Sequence, residues 1–587
     1  MPKIGIRVIV DGRCNGVREK IEAPTFVLAN LAKELIESHL RHADGSPVEC
    51  YIGSTAVGGV HEAAVVADEF QREHVGAVIS VSRAFAYAAE IMEYDSRLPQ
   101  AIWGFNGSER PGAVYLAAAT AVAEQKGIPV FKIYGEHVQD ADDLSIPDDV
   151  AQKLLQFAKC AIAVADMKGK AYLSIGGTCM GIGASIVDPE FFRCYLGMRN
   201  ETVDMSELTR RLTMEIYDHA EYEKAMAWVK QHCEEMEDPN PEEIQHSREQ
   251  KDQDWSTVVK MTLIMRDLMV GNEKLKEMGY PEEAQGHHAA AAGFQGQRQW
   301  TDFMPNGDFS EAILCSSFDW NGKRQPYILA TENDCLNATT MMMGNLLTGT
   351  AQIFCDVRAF WSKQAMEHST GCDVPECAKD GFIYLTNSGA AALDGTMEAM
   401  CGEQHGMKPH WELTDEEVEA CLQNTKWGAG KLATFRGGGF SSSYCSKAEV
   451  PLTMLRLSLI KGVGPVLQIA EGKTIRLPEE MEQKLIKRTD PTWPKTFFVP
   501  RLTGHGAFRS VYSLMNSWGT NHCSLCYGHV GAEFITLASM LRIPVCTHNV
   551  PEERIFRPAA WTMLGGDEPI SADFRACQNY GPLYGTY

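Results

Sequence analysis

The chain has 587 residues, of which 44% are hydrophobic and 22% are charged, a balance typical of a folded protein of several domains rather than a disordered one. Its 54 Lys and Arg residues against 77 Asp and Glu residues give a net charge of −23, which excludes a general affinity for nucleic acid or for anionic membranes. Because there is no apolar run of about 18 residues and no apolar signal segment after Met1, we expect a cytoplasmic protein whose 18 cysteines are reduced thiols.

The first part of the chain alternates apolar runs with segments of helical periodicity. The predicted strands are residues 3–10, 48–52, 76–82, 101–105 and 129–135, and the predicted helices are residues 25–43, 61–74, 112–127 and 148–165. Because these strands are apolar throughout instead of alternating with polar residues, they predict a parallel sheet covered by helices on both faces. We therefore expect a Rossmann-like α/β domain over residues 1–166.

A second unit of the same class is predicted over residues 167–347. It contains a strand-like segment at 171–177 that enters a glycine-rich turn, a polar connector or exposed helix at 232–254, a helical segment at 255–270 and a strand-like segment at 326–331. This order of elements again favours an α/β domain with a parallel sheet.

The remaining residues, 348–587, have a different pattern. After a strand-like segment at 351–357, closely spaced strand candidates follow at 451–460, 464–472 and 473–478, and one helix is predicted at 532–541. Short strands separated by Gly and Pro are typical of β-rich and barrel-like domains. The sequence therefore predicts an α/β protein in which two parallel-sheet α/β domains precede a β-rich, barrel-like C-terminal domain.

Three short motifs resemble known binding sequences, and each lacks a part that its chemistry requires. Residues 425–432 end like a phosphate-binding loop but lack its first Gly and its Mg²⁺-binding hydroxyl, and residues 180–185 lack the third Gly of a dinucleotide-binding turn. Cys523 and Cys526 have the spacing of zinc ligands, but the sequence holds no second CxxC pair. These two cysteines either bind zinc or pack as small buried hydrophobic residues.

Carboxylates accompany two of the apolar strands. Residues 328–331 lead directly to Glu332 and Asp334, and residues 353–355 lead to Asp356. Ligand sites in α/β sheets gather outside the carboxyl ends of strands. A carboxylate on so apolar a strand must be paired, hydrogen-bonded or bound to a cation, because burial of an isolated charge is costly. The pattern leaves two alternatives, which are salt bridges, with Arg358 as an available partner, or a metal site.

Longer blocks of sequence carry a resemblance that the short motifs do not. They are residues 101–112 (AIWGFNGSERPG), 293–302 (GFQGQRQWTD), 330–334 (ATEND), 356–358 (DVR), 436–439 (RGGG), 464–472 (GPVLQIAEG), 500–504 (PRLTG), 521–522 (NH), 528–532 (GHVGA) and 575–583 (RACQNYGPL). In this order, and over essentially the whole chain, the sequence resembles the L-fucose isomerase family.

The resemblance implies a cytoplasmic homohexamer of three-domain subunits that binds a divalent cation, usually Mn²⁺, with Co²⁺ and Mg²⁺ as alternatives. It implies that Glu332, Asp356 and His522 hold this cation, and that Cys523 and Cys526 only pack. It further implies an aldose–ketose isomerase that interconverts L-fucose and L-fuculose, and also D-arabinose and D-ribulose. The cation would stabilise an enediolate, and the two carboxylates would exchange the proton between C1 and C2, with no order implied between them.

The same resemblance implies sugar contacts from residues whose chemistry suits a polyol. They are Arg13, Met180, Gln297, Ser388, Trp493 and Asn521. Two further substrate-binding positions differ from the family's usual residues. Phe85 stands where Trp is usual, in a loop expected to reach a neighbouring subunit's site, and Thr434 stands where Tyr is usual. Loss of a ring at residue 434 opens volume, so the same fold and metal site acting on a different aldose is an alternative.

Two other functions compete with this interpretation. A metal-dependent sugar lyase or epimerase would reuse the same enediolate-stabilising site. A non-catalytic sugar-binding protein on the same scaffold would not need two metal-bound bases, and residues of the required types stand at all three implied ligand positions. No nucleic-acid or membrane partner is expected for any of these alternatives.

Overall fold

The computed structural model describes residues 1–387, 389–402, 406–565 and 569–586. Among these residues, the strands gather into three larger sheets, of which the first two are parallel and the third is an antiparallel barrel. This arrangement confirms the predicted fold class. No helix of the described part of the chain is both long and apolar enough to cross a membrane.

The first sheet has the strand order β2-β1-β3-β4-β5, with every neighbouring pair parallel. Its strands are β1 (Lys3–Ile9), β2 (Cys50–Ile52), β3 (Val75–Ser82), β4 (Gln100–Gly104) and β5 (Val130–Ile133), and its helices are α1 (Arg18–His39), α2 (Val60–Arg72), α3 (Ala88–Ile91), α4 (Gly112–Gln125) and α5 (Asp148–Met167). The strand order reverses between β1 and β3, so the loops after these strands diverge and leave a crevice at their carboxyl ends. Helix α1 begins seven residues before the predicted 25–43 because the helix continues through Pro24.

The second sheet has the parallel strand order β11-β8-β6-β7. The strands of this part of the chain are β6 (Ala171–Ile175), β7 (Arg199–Val203), β8 (Ala289–Phe294), the hairpin β9 (Phe318–Asp319) and β10 (Gly322–Lys323), and β11 (Leu329–Ala330). The helices are α6 (Met205–Thr213), α7 (His219–His232), α8 (Arg248–Val270), α9 (Glu273–Glu277), α10 (Asp308–Cys315) and α11 (Cys335–Thr348). Within the polar segment 232–254, helix α8 begins after Ser247, whose side chain caps it by accepting from the Gln250 N–H.

The third sheet closes on itself in the order β16-β19-β12-β13-β18-β17, because β17 pairs with β16. Its strands are β12 (Ile353–Trp361), β13 (Phe382–Thr386), β16 (Pro451–Ile460), β17 (Gly464–Thr474), β18 (Lys495–Pro500) and β19 (His522–Tyr527), with β20 (Val545–Thr547) beside β17 and the separate hairpin β14 (Lys426–Ala429) and β15 (Phe440–Ser443). Closure leaves the barrel without the unpaired edges of an open sheet.

Two predictions for this domain are corrected. Residues 464–474 form one strand, so the predicted break at residue 473 is wrong, and β17 continues through its pairing with β16. The single predicted helix, α16 (Gly531–Leu541), is present, but it is joined by α12 (Lys363–Thr370), α13 (Asp415–Gln423), α14 (Glu479–Ile486), α15 (Val511–Ser517), α17 (Ala559–Gly565) and α18 (Pro569–Tyr580). Several of these are short helices whose local periodicity is weak.

Helix α11 joins the second sheet to the barrel. It contacts β8 of the second sheet together with β16 and β19 of the barrel, and most of its residues are buried. A helix that is apolar on nearly all sides belongs in the interior between two layers. Because α11 follows β11 after one short turn, the carboxyl end of the second sheet lies against the barrel.

Candidate functional site

The first two side chains of the site come from neighbouring barrel strands. Asp356 of β12 stands directly opposite His522, the first residue of β19. The Val357 N–H donates to the Asn521 carbonyl at 2.7 Å, so residues 356 and 522 form a pair without mutual backbone hydrogen bonds, in which side chains approach most closely. The His522 Nε2 lies 3.3 Å from Asp356 Oδ1.

The third side chain comes from the second α/β domain. Glu332 follows β11, and its Oε2 lies 3.4 Å from His522 Nε2. The backbones of Glu332 and Asn333 are both left-handed, with φ of 57° and 52°. Consecutive non-glycine residues in this region are strained, and such strain persists only where surrounding contacts hold it. The structure therefore brings Glu332, Asp356 and His522 together from sequence positions up to 190 residues apart.

The side chains on either side of Glu332 supply those contacts. The Asn333 amide oxygen accepts from the Tyr172 hydroxyl at 2.7 Å, and its Nδ2 donates to Ser174 Oγ at 2.6 Å and to the Gly177 carbonyl at 3.0 Å. On the other side, the buried Thr331 hydroxyl donates to Glu311 at 2.8 Å. Glu332 is thus held between two anchored neighbours.

The imidazole of His522 is oriented by a buried carboxylate. Its Nδ1 donates to Asp334 Oδ2 at 2.7 Å, and the same oxygen accepts from Arg456 Nη1 at 2.7 Å. Burial lowers the pKa of His522, but hydrogen bonds to Asp334, Asp356 and Glu332 outweigh burial and raise that pKa well above its usual value. With a proton held on Nδ1, Nε2 would be the nitrogen that binds a cation lying between it and the two other carboxylates. Burial raises the pKa of Asp334, but Arg456 and His522 outweigh burial and hold that pKa well below its usual range.

The residues present fit a hard divalent cation. Two carboxylates and one imidazole are a common donor set for such ions, and a carboxylate on the second imidazole nitrogen is the usual support of a metal-binding histidine. Donors at about 2.1 Å from one ion lie about 3 Å apart, so the 3.3 and 3.4 Å separations need only slight contraction. Among the described residues, no three His, Cys, Asp or Glu side chains are placed so that they could hold a metal ion as they stand, so Glu332 and Asp356 would have to move towards the ion on binding.

Three of the implied sugar contacts lie on segments that follow strands of the second sheet or adjoin His522. Met180 follows β6 with a left-handed φ of 43°, and its side chain is half-exposed. Gln297 follows β8 and is buried, and the exposed Asn521 directly precedes His522. Because the carboxyl ends of parallel strands share one edge of a sheet, the segments after β6, β8 and β11 open towards the same region.

Two implied contacts lie on loops of the barrel domain. The half-buried Trp493 has the Arg358 guanidinium over its ring, 5.7 Å from the centroid. Arg358, the available salt-bridge partner in the sequence, makes no ion pair within the described ranges. Thr434 is exposed, in a turn closed by Lys431, and Lys431 Nζ pairs with Asp490 Oδ2 at 2.6 Å, which ties the loops of Thr434 and Trp493 together. The predicted contact Ser388 lies outside the described residues.

Arg13 and Phe85 stand apart from the triad within one chain. Both line a cleft of about 270 Å³ at the crevice of the first sheet, and the residues that line it do not include Glu332, Asp356 or His522. Phe85 is 40% exposed. The Arg13 guanidinium donates to Asp11 Oδ1 at 3.0 Å from Nε, so its direction is set by a carboxylate in the same cleft.

The zinc alternative for Cys523 and Cys526 finds no support in their placement. Both lie on β19, three residues apart, and both are buried. Side chains three apart on a strand point to opposite faces of the sheet, so the two thiols do not face a common ion. Burial raises the pKa of Cys526 to about 11, which keeps the thiol protonated and inert.

Sequence reasoning missed the residues that support the site. Arg456 and Glu311 are almost fully buried, and neither was predicted to take part. The available signal for Arg456 is its position as a lone cation inside the apolar strand 451–460. Glu311, in helix α10, has a comparable signal as an acid among apolar residues, and burial raises its pKa well above the usual value.

Comparisons with known proteins place this chain in a family. Models of the first N-terminal, second N-terminal and C-terminal domains of L-fucose isomerase match residues 1–169, 170–349 and 385–549. Proteins named L-fucose isomerase from Phocaeicola vulgatus and Bacteroides thetaiotaomicron are each 57% identical to this chain, and one from Vibrio vulnificus is 56% identical, each over 99% of both chains. The chain therefore belongs to the L-fucose isomerase family and is an enzyme of the aldose–ketose isomerase class.

Proposed function

We propose that this enzyme interconverts L-fucose and L-fuculose, and D-arabinose and D-ribulose, with the help of a divalent cation. The observation that carries the proposal is the convergence of Glu332 and Asp356 on His522 Nε2, at 3.4 and 3.3 Å. Binding alone would not require two carboxylates beside one imidazole whose other nitrogen is already fixed by Asp334.

Glu332, Asp356 and His522 would hold the cation, which we expect to be Mn²⁺, with Co²⁺ or Mg²⁺ as substitutes. When bound, the cation supplies a Lewis acid that stabilises negative charge on adjacent sugar oxygens. The contribution of His522 is a neutral nitrogen donor whose orientation is set by Asp334 and Arg456. Glu332 and Asp356 would contribute negative charge, and their basic oxygens can accept and return a proton.

The reaction moves a proton between C1 and C2 of the open-chain sugar through an enediolate. Glu332 reaches the site from the second α/β domain and Asp356 from the barrel, so the two carboxylates approach from different structural elements. We propose that the two carboxylates lie on opposite sides of the open-chain sugar. One would withdraw a proton from one of the two carbons, and the other would help to return a proton to the neighbouring carbon. Their anchored positions reduce the reorganisation that proton transfer requires.

The remaining contacts recognise the sugar. Gln297 and Asn521 offer amide groups for hydroxyls, Ser388 offers a hydroxyl, and Trp493 offers a ring face for C–H groups. The guanidinium of Arg358 holds that ring from one side.

Arg13 and Phe85 complete this site, in our proposal, from another copy of the chain in a homohexamer. Their cleft is separate from the triad within one chain, and Phe85 presents an exposed ring. Phe85 and Thr434 would face the far end of the sugar, where they would set which aldose is preferred. The eighteen cysteines, all within the described ranges and all free, support a reducing compartment such as the cytoplasm.

The test is a panel of L-fucose, D-arabinose, L-galactose and D-altrose, assayed with chelator-treated enzyme before and after Mn²⁺ is restored. We expect Mn²⁺-dependent formation of a ketose with the same number of carbon atoms, with solvent proton exchange at C1 or C2 detected by NMR. Cleaved or epimerised products would instead establish a lyase or an epimerase, and full turnover without any divalent cation would overturn the proposal.

The carboxylates are tested by Glu332→Gln and Asp356→Asn. Each change keeps the size of the side chain but removes its charge and basicity, so each variant is expected to lose at least about a hundredfold in kcat, the lower range of general acid–base contributions. The matched control is Asp166→Asn, which alters a buried acid that is paired with His42 in the first domain. A wild-type rate in either E332Q or D356N would exclude that carboxylate from proton transfer.

A further inference from the structure

A buried acid behind the triad takes no part in the proposed chemistry. Glu311 of helix α10 is 1% exposed, and within the described ranges it forms no ion pair. A buried carboxyl group without a cationic partner costs free energy, so a chain that keeps one has a use for its hydrogen bonds. Those bonds run towards Glu332 and Asp356.

The hydrogen-bond directions around Glu311 follow from its partner, Thr331. The Thr331 hydroxyl receives the Ala390 N–H at 3.0 Å and the Asn387 Nδ2–H at 3.4 Å. A hydroxyl has one hydrogen and two lone pairs, so its own hydrogen is left for Glu311 Oε2 at 2.8 Å. Glu311 thereby fixes the rotation of the side chain that immediately precedes the strained Glu332.

The same contact reaches the strand that carries Asp356. The Ala390 carbonyl accepts from the Phe354 N–H at 3.1 Å, and Phe354 lies two residues before Asp356 on β12. A continuous set of hydrogen bonds therefore runs from Glu311 through Thr331 and Ala390 to β12. It connects the element that bears Glu332 with the element that bears Asp356.

The backbone beside this contact is packed as closely as it can be. A Cβ on Gly389 would lie 1.9 Å from Glu311 Oε2 and 2.2 Å from Thr331 Oγ1. Only glycine allows the loop to approach the Glu311–Thr331 hydrogen bond at this distance. The loop after β13 is therefore in direct contact with the acid as well as hydrogen-bonded to its partner.

We propose that Glu311 is a positioning residue that sets the separation of Glu332 and Asp356 through the hydroxyl of Thr331. The proposal rests on the proposed function, because a fixed separation matters only if the two carboxylates share a cation and a sugar. Glu311 itself would contact neither the cation nor the sugar. Its effect is transmitted by the contact that holds Thr331 and Ala390 in place.

The test uses the full-length enzyme and four variants, which are Glu311→Ala, Glu311→Gln, Thr331→Val and Thr331→Ser. Mn²⁺ affinity is measured by calorimetry and electron paramagnetic resonance, kcat and KM are measured separately, and thermal unfolding reports the fold. We expect E311A and T331V each to weaken Mn²⁺ affinity by about 10–100-fold, the usual effect of removing a group that supports metal ligands, and to lower kcat more than they raise KM. E311Q and T331S keep an acceptor oxygen and a hydroxyl, respectively, and are expected to lose less than E311A and T331V.

The double variant E311A/T331V separates transmission through Thr331 from independent effects. If Glu311 acts through Thr331, the double variant loses no more Mn²⁺ affinity than the single variant that has the larger loss. Asp166→Asn is the matched control, since Asp166 is another buried acid but is paired with His42 in the first domain, and its Mn²⁺ affinity should equal that of the wild type.

Failure of this inference differs from failure of the proposed function. A wild-type enzyme that binds no divalent cation would overturn the proposed function and this inference with it. A wild-type enzyme that is Mn²⁺-dependent, beside E311A and T331V variants of unchanged Mn²⁺ affinity and kcat, would overturn this inference alone, even if both variants unfold at lower temperature. Additive losses in the double variant would also contradict it, and T331V, which keeps the shape of threonine, decides the matter if E311A does not fold.

Discussion

The orientation of the His522 imidazole is fixed by its neighbours, which leaves one ring nitrogen facing the site. Asp334 accepts the hydrogen bond that Nδ1–H of His522 donates, and Arg456 balances the charge of Asp334. What remains is Nε2, at 3.3 and 3.4 Å from Asp356 and Glu332. The chemistry of the imidazole is therefore decided by a residue that would not itself touch a sugar.

The prediction at this scale is for Asp334→Asn. The change removes the charge that pairs with Arg456 and weakens the hold on Nδ1, so Mn²⁺ affinity should fall by about 10–100-fold. The buried Arg456, left without a counter-charge, should lower the free energy of unfolding by about 3 kcal/mol. Calorimetric Mn²⁺ titration and urea unfolding measure the two effects.

The control for this prediction is Glu471→Gln. Glu471 is also buried and pairs with Arg554 at 2.7 Å, but it supports no residue of the triad. E471Q should lose stability and keep wild-type Mn²⁺ affinity. Equal Mn²⁺ affinities of D334N and E471Q would contradict the role given to Asp334.

At the scale of elements, two local structures present the site. One is the β12–β19 pair, whose register sets Asp356 opposite His522. The other is the short turn after β11, in which Glu332 and Asn333 are both left-handed. The strand pair is regular and is stabilised by the barrel, whereas the turn depends on the side chains around it.

Asn333→Ala tests that dependence. The change removes hydrogen bonds to Tyr172, Ser174 and Gly177, so the turn should relax and Glu332 should lose its direction. We expect kcat to fall at least about tenfold and stability to fall by about 2 kcal/mol, as for the loss of buried hydrogen bonds. Steady-state kinetics and urea unfolding provide the measurement.

Tyr172→Phe is a milder variant that tests the same turn. It removes only the hydroxyl contact to Asn333, so it should lose less kcat than N333A. A wild-type kcat in N333A would show that the turn keeps Glu332 in place without the hydrogen bonds of Asn333.

The local patterns behind these elements differ in how well sequence predicts them. Strand β16 is an almost entirely apolar run, and its residues alone indicate a strand with the bounds that the structure has. The turn at Glu332 has no such pattern, because its left-handed backbone is imposed by Tyr172 and Ser174, about 160 residues away. Contacts of that range are formed only by the tertiary structure.

At the scale of the whole molecule, the first domain carries Arg13 and Phe85 in a cleft apart from the triad. If the site is completed by another copy, two defective subunits can complement each other. We predict that co-expressed Arg13→Ala and Glu332→Gln chains regain activity, because one in about four sites would combine an intact cleft with an intact triad by random mixing. Each variant expressed alone is the control.

The measurement is L-fucose turnover by purified mixed oligomers, compared with a mixture of the separately purified variants. Recovery only after co-expression or subunit exchange is expected. Activity in co-expressed chains no higher than in either variant alone would mean that Arg13 serves the triad of its own chain or none.

The buried thiols give the whole molecule a pH dependence. Burial raises the pKa of Cys50, Cys315 and Cys421 to about 12 each, above the value of about 8.5 in an unfolded chain. The stability from these groups is complete below about pH 8.5, and it is lost as pH rises towards 12, because the unfolded chain releases protons that the folded chain keeps. Each such thiol should lower the free energy of unfolding by about 1.4 kcal/mol per pH unit in that range.

Urea unfolding at pH 8, 9 and 10 under reducing conditions measures this effect. Because Lys495, whose pKa burial lowers to about 8, acts in the opposite sense, the informative quantity is the difference between the wild type and Cys421→Ala. The wild type should lose more stability with rising pH than C421A does. Parallel pH profiles would show that this thiol does not titrate on unfolding.

The sequence by itself determined the class of each domain and the two carboxylates at strands, because apolar periodicity is a local property. It also determined the family, because long blocks that resemble the family stand in the same order along the chain. Only the tertiary structure decided that Asp334 is hydrogen-bonded to His522 and Arg456, that the buried Glu311 is hydrogen-bonded to Thr331 beside Glu332, and that Arg13 and Phe85 lie apart from the triad. The physical reason is that these relations depend on strand register, barrel closure and the direction of individual hydrogen bonds, which join residues far apart in the chain.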